Sequence, residues 1–527
     1  MTKPIIFTNG RIYQGKGSCL SGQSLLVQGS LICSLGPLSE LRSLAGEARE
    51  LDMQGGLLLP GLVDSHLHLA QLAYALQSVD CEIPSKKQLL ERVRMKALCS
   101  AADWVIGYGW NQNSWNPPEF GSAEELDAAS EGKAVVLFAK SLHALWANTR
   151  AMQLAGVNAG TPNPLGGAVL RNENGEPTGI FLENAMQLMQ KAIPEASAEL
   201  LEKCMDETQA YLFSMGITAV HDFDRFESYE ALVKLEKSER LHLRVAKSLP
   251  AAAVEQIQSW DYRSLLSTKH LRPGWVKAFA DGALGPQSAA MLAPYEGSQA
   301  KGMLLISKEE ILELGIKAHQ AGWPLAVHAI GDAANHEVIE GYKLLRAYEA
   351  GKELEPLLYR IEHVQCMTPQ DQELMKSLGI IASVQPIHAA SDMFTAEKHW
   401  GARCEYAYAY RSLLNKGIPS IYGSDAPVEP SNPFLGLHAA VSRRKASGEP
   451  GEEGWYPKQR LSLAEALDGF SFNANAVAGF ADATAIAPGQ TANLLLLKED
   501  LFTLDPQQIA AIKPLMTLVE GEVRFEA

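Results

Sequence analysis

A chain of 527 residues with 46% hydrophobic and 20% charged residues has the composition of a globular protein and is too long for one simple core. Its formal charge of -15 argues against nucleic acid and anionic membrane as partners, and no apolar run approaches the ~18 residues of a membrane span. Seven cysteines without a C-x-x-C pair, and a start at Met1 without a basic-then-apolar leader, predict reduced thiols in the cytoplasm.

Residues 4–56 read as short strands and turns (PIIFTNGRIYQ, SLLVQGSLICSLG, ARELDMQGG), with Asn9-Gly10 predicting a hairpin. Residues 57–70, LLLPGLVDSHLHLA, form a continuous apolar run, read as one buried strand that closes in Asp64-Ser65-His66-Leu67-His68. Alternation along a strand puts His66 and His68 on the same side, where two neutral imidazoles can grip one metal ion. A long insertion, 71–215, follows with helices and strands of its own. Seven further strand candidates lie at 216–224 (GITAVHDFD), 241–249 (LHLRVAKSL), 274–282 (GWVKAFADG), 323–332 (WPLAVHAIGD), 358–365 (LYRIEHVQ), 379–386 (GIIASVQP) and 418–427 (IPSIYGSDAP). Helical patterns separate most of them, and Ser307 with Glu310 predicts a capping box. Strands alternating with helices eight times is the sequence form of an α/β fold, the (β/α)8 TIM barrel. From about residue 480 the β texture returns, with a turn at Glu520-Gly521. This predicts a small β-sandwich domain built from both termini, 1–57 with 480–527, beside a barrel domain over 58–479. Long insertions at the C-terminal face of a barrel tend to cover the active site, which is the expectation for 71–215.

In a barrel the chemistry sits where strands end. Lys277 lies inside strand four, where a buried amine is costly unless paired, with Asp281 or Glu362, or chemically altered. His328 closes strand five, His363 strand six and Asp425 strand eight. Each alone suits a satisfied core residue. Together with His66 and His68 they make six residues of suitable type, in order, at the ends of five strands. Trp110, Trp115 and Trp146 fall in the insertion, either as core or as an apolar substrate wall.

PGLVDSHLHL resembles the first-strand signature of the amidohydrolase superfamily, and VKAFADG, LAVHAIGD, RIEHVQ and IYGSDAP resemble its later strand ends. The LHALWAN and GEPTGIFLENA elements resemble its N-substituted formamide deformylase branch, so the likeness spans essentially the whole chain. It implies a metal-dependent hydrolase of a carbon–nitrogen bond other than a peptide bond, acting on linear amides. It also implies a divalent metal cofactor, two zinc ions per chain, with Mn and Fe left open. His66 and His68 with Asp425 would hold one ion; His328 and His363 would hold the second, and carboxylated Lys277 would bridge the pair. Asp425 would also be the catalytic proton shuttle. Substrate contacts are implied at Trp110, His143, Glu183, Asp281, Gln385 and His388, with Asn148 and Asp392 beside them and Glu183 as an alternative bridge. The partner implied is a small-molecule substrate, with no nucleic acid and no membrane; a homo-oligomer stays open. A mononuclear deaminase of an amino-substituted ring is disfavoured, because Gly331 stands where an H-x-x-E motif needs Glu. A catalytically inactive scaffold is disfavoured by the complete ligand set.

Overall fold

Apolar segments buried on both faces become the strands of one parallel sheet. In chain order these are β1 (Leu62–Leu67), β2 (Ile217–Asp222), β3 (Arg244–Pro250), β4 (Leu271–Phe279), β5 (Leu325–Ala329), β6 (Arg360–His363), β7 (Ile381–Val384) and β8 (Ser420–Tyr422). Each pairs in parallel with the next, as expected for continuous apolar strands joined by helical crossovers. A parallel bridge between Leu67 and Ala426 joins the last strand to the first. Asp425 N–H donates to the His66 carbonyl at 2.7 Å and His68 N–H to Ala426 at 2.8 Å, so the sheet is a nearly closed eight-stranded barrel. Gly423 permits that closure: a Cβ there would meet His66 N at 2.5 Å and Asp64 Oδ1 at 2.7 Å. The computed structural model describes residues 3–100, 102–140, 143–194, 197–259 and 266–527. Two compact units divide the chain, Met1–Leu72 with Met205–Ala527, and Ala73–Cys204.

The run 57–70 is two strands. Leu57–Pro60 pairs antiparallel with Leu494–Leu497 in a six-stranded sheet drawn from both chain ends, and only after Gly61 does the chain enter β1. A Cβ at Gly61 would lie 2.2 Å from Thr218 Oγ1, so the crossing between sheets needs a glycine. Asn9-Gly10 also departs from expectation. The strands either side of it, Ile5–Thr8 and Arg11–Gly15, belong to different sheets, and the turn passes the chain between them. Glu520-Gly521, by contrast, with φ of 52° and 75°, closes a hairpin between Pro514–Val519 and Glu522–Glu526.

The helix Lys308–Gln320 opens with the Ser307–Glu310 capping box, and Leu463–Gly469 with Ser462–Glu465. Glu465 also receives the Arg411 guanidinium through two bonds of 2.6 and 2.5 Å, which hold its carboxyl down at about 2. The pair is about one-third exposed, so solvent discounts it, and Glu465→Ala is expected to cost ~1 kcal/mol. The folded pKa lies below the ordinary 4.5, so this contribution is whole above that pH and is lost as pH falls through about 2. Melting temperatures of wild type and variant across that window check it.

The unit Ala73–Cys204 has its own six-stranded mixed sheet, ordered Gly167–Arg171, Pro177–Glu183, Ala144–Ala147, Ala134–Ala139, Trp104–Trp110, Val79–Asp80. Trp110, Trp115 and Trp146 are buried in its core, and each indole N–H donates to a backbone carbonyl, of Leu137, Ile83 and Ser122. The tryptophans pack inward because the sheet's apolar face needs large side chains to fill it. Trp110 is 1% exposed, so it is core rather than an open substrate wall. Among the described residues no helix is long and apolar enough to cross a membrane.

Candidate metal centre

The first-strand histidines converge as their spacing requires. His66 Nε2 lies 3.4 Å and His68 Nε2 3.5 Å from Asp425 Oδ1, at the end of β8. Those separations match the ~3.3 Å edge of a tetrahedron with bonds of about 2.0–2.1 Å. The His66 ring is held by its other nitrogen, whereas His68 Nδ1 is buried with a carboxylate in front of it but no hydrogen-bond partner. His66 Nδ1 bonds Glu362 Oε2 at 2.5 Å, and His68 Nδ1 faces Asp224 Oδ1 at 3.5 Å. Glu362 is in turn gripped by Arg360, buried beneath it, whose guanidinium also reaches the Ser65 carbonyl, His221 Nδ1 and Ser383 Oγ. Burial opposes ionisation of Glu362, but Arg360 and His66 outweigh it and hold its carboxyl well below the usual range. For His68, burial opposes the charge, yet Asp224 and Asp425 outweigh it and push the imidazole up to about 9. A cation is electrostatically welcome at that point.

Farther round the barrel, His328 Nε2 bonds the Gly282 carbonyl at 2.9 Å and His363 Nδ1 bonds Gln385 Oε1 at 2.8 Å, leaving one ring nitrogen of each for another partner. Burial and the neighbouring Lys277 keep His328 neutral, down at about 3. The rings of His66, His363 and His328 follow one another with centroids 4.9 and 4.6 Å apart. Lys277 is 4% exposed, with Nζ 5.0 Å from the centres of both the Phe223 and Phe279 rings. Burial lowers its amine to about 8, against the attraction of Glu362 and Asp425. Those neighbours act through space: of the two ways to accommodate the amine, the ion pair, with Asp281 or Glu362, is not found among the described residues. His363, Val364 and Asp425 adopt φ of 74°, 46° and 64°, strained backbone that costs ~1–3 kcal/mol per residue and clusters at functional sites.

The donor set fits divalent metal. Among the described residues two groups bring three ligand atoms within 4.8 Å of one another, His66/His68/Asp425 and His363/His388/Asp425. His66 Nε2 and His388 Nε2 are buried with no hydrogen-bond partner, a cost that a cation would remove. His388, expected as a substrate contact, thus joins the ligand-type residues, whereas His328 lies in neither group. Because Asp224 is the carboxylate that faces His68 Nδ1, Asp224→Asn is expected to weaken metal binding ~10-fold or more, measured by chelator competition. Unchanged affinity would remove that role from Asp224.

Other expectations fall differently. Asp281 accepts from the N–H groups of Ala290, Ile330 and Gly331, at 2.8, 3.0 and 2.8 Å, and its Oδ1 lies 3.5 Å from His328 Nε2. Asn148 caps helix Thr149–Leu154 through Ala151 N–H and ties Val135 N–H to the same oxygen. His143 and Glu183 are exposed in the unit Ala73–Cys204 and bond each other at 2.9 Å. Glu362, Asp224 and Arg360 went unrecognised as orienting groups. The signals available were a charged pair in the buried RIEH strand and the Asp-x-Asp at the end of VHDFD.

Comparison with known proteins follows the same lines. The profile of the amidohydrolase family (Amidohydro_3) matches residues 49–525. The chain is 29% identical over 521 residues to the putative amidohydrolase YtcJ of Bacillus subtilis, covering 96% of each. It is 28% identical over 554 residues to the N-substituted formamide deformylase of Arthrobacter pascens, covering 99% of this chain and 98% of that one. An uncharacterized metal-dependent hydrolase from Pyrococcus furiosus superposes with a TM-score of 0.74 at 25% identity, over 94% of this chain and 99% of that one.

Proposed function

This chain belongs to the amidohydrolase family, the metal-dependent hydrolases, and on that premise we propose that it cleaves a non-peptide carbon–nitrogen bond, a linear amide, of a small molecule. The observation that carries the reading is the convergence of two imidazole Nε2 atoms on one Asp425 oxygen, with the His66 ring fixed from behind by Glu362 and Asp224 facing the His68 ring. The deformylase of Arthrobacter pascens, similar along nearly its full length, supports an N-substituted formamide as the first substrate type to try.

In this reading His66, His68 and Asp425 would hold one cation and His328 and His363 a second, with Lys277, as a carbamate, supplying a further carboxylate-type ligand. The buried amine suits that modification: its neutral form adds to CO2, making a nitrogen–carbon bond and releasing a proton. Zinc suits the imidazole and carboxylate donors, and two such cations, when bound, lower the pKa of a water and polarise an acyl oxygen. Asp425 accepts the proton of the attacking water and returns it to the leaving nitrogen, first as general base and then as general acid. The hydrogen bonds of His66 to Glu362 and of His363 to Gln385 fix both rings in single tautomers, so their free nitrogens stay aimed. No side-chain nucleophile enters the scheme.

The test is turnover of N-substituted formamides and other small linear amides by the metal-loaded protein, beside amino-substituted rings. Amine release from the amides is the expected result. Ammonia release from ring amines alone would overturn the amide reading.

A further inference from the structure

We propose that His388 is a ligand of the second cation, locked in its ligating tautomer by a hydrogen-bond chain through Gln365 to Tyr408 and Asp392; this rests on the metal-dependent reading above. His388 lies on the short helix Pro386–Ser391 that follows β7 and is 6% exposed. Its Nε2 has no hydrogen-bond partner and lies 4.0 Å from Asp425 Oδ2. The ligand atoms of His363, His388 and Asp425 lie within 4.8 Å of one another, a spread that one cation with bonds of ~2.0–2.2 Å closes by a small inward shift.

An imidazole ligates through a lone pair, so the question is which nitrogen of His388 carries the proton. Nδ1 faces the Gln365 side-chain amide at 3.2 Å, and the other end of that amide faces the Tyr408 hydroxyl at 3.1 Å. Tyr408 has one proton to give, and Asp392 Oδ2, at 2.7 Å, is both nearer and a carboxylate. The hydroxyl then has only lone pairs left for Gln365, so the amide must meet it with its NH2 group. Its carbonyl oxygen consequently turns to His388 and accepts from Nδ1–H. This orientation exchanges the amide oxygen and nitrogen by a 180° turn about the last side-chain bond and gives each of the four side chains a matching partner. The opposite orientation would set the hydroxyl lone pairs against the amide oxygen and put the His388 proton on Nε2. Nε2 therefore holds the lone pair, and the tautomer is dictated from Asp392, three hydrogen bonds away from the imidazole.

Chelator competition on the full chain tests this, with the visible spectrum of the cobalt-loaded protein as a second readout. His388→Ala is expected to weaken the second cation ~10–100-fold and leave the first unchanged. Tyr408→Phe, which touches no cation, is expected to weaken it ~10-fold, because the amide loses the partner that orients it. Adding Gln365→Glu to Tyr408→Phe offers Nδ1–H an acceptor at either oxygen and is expected to restore the affinity, a rescue that general misfolding would not give. Unchanged second-cation affinity in His388→Ala overturns the ligand role, and unchanged affinity in Tyr408→Phe overturns the chain. A wild-type protein that binds no cation would instead remove the metal-dependent reading itself.

Discussion

Asp425→Asn is expected to lose at least ~10³-fold in kcat while melting within a few degrees of wild type, because general acid–base transfer contributes about 10²–10⁴ and a ligand charge is lost with it. Asn keeps the shape of Asp and tolerates the left-handed φ of 64° found here, so the backbone has no reason to move. The amide cannot accept a proton from water or carry one to a leaving nitrogen. Burial alone would raise the Asp425 carboxyl, but His68, His66, His363 and His388 outweigh it and hold it well below the ordinary aspartate range. Asn removes the one charge that these imidazoles share. Steady-state kinetics on the best amide, with metal content measured in parallel, checks the expectation. Full activity in Asp425→Asn would show that the proton moves by another route.

The largest stability effect is expected at Arg360. Its guanidinium is fully buried and pairs with Glu362, packing 4.5 Å from the centre of the Trp275 ring and 5.0 Å from that of Phe223. Arg360→Met fills similar space but leaves Glu362 buried without its counter-charge, which typically costs ~3–5 kcal/mol. Glu362→Gln in the same chain removes the stranded charge, so the double variant is expected to regain part of the loss. It stays weak in metal, since the amide holds His66 less firmly than the carboxylate does. Denaturant unfolding of the four proteins gives the coupling directly. An Arg360→Met protein as stable as wild type would mean that Glu362 takes up a proton at little cost.

The barrel was legible because parallel strands buried on both faces must be apolar throughout, and polar residues then stand out at their ends. His66, His68, Lys277, His328, His363 and Asp425 are read that way together with the family resemblance, and all six lie in the unit Met1–Leu72 with Met205–Ala527. What stayed hidden was set by distant partners. Nothing local in LLLPGLVD says that the chain changes sheets at Gly61; Thr218, far along the sequence, decides it. Asn9-Gly10 has the residues of a hairpin, but the flanking strands find better partners elsewhere. Trp110 and its neighbours could not be separated into core and wall without knowing which face of their sheet is covered. Glu362 bonds His66, Asp224 faces His68 and Tyr408 bonds Gln365 through contacts that only folding makes.

The most direct test of a two-cation hydrolase is the metal content per chain of protein purified without chelator, read beside its intact mass under native conditions. The reading predicts about two divalent ions, with an added CO2 mass that disappears in Lys277→Ala, by the ligand count of a paired site. A chain that holds no metal after incubation with zinc and bicarbonate would contradict it.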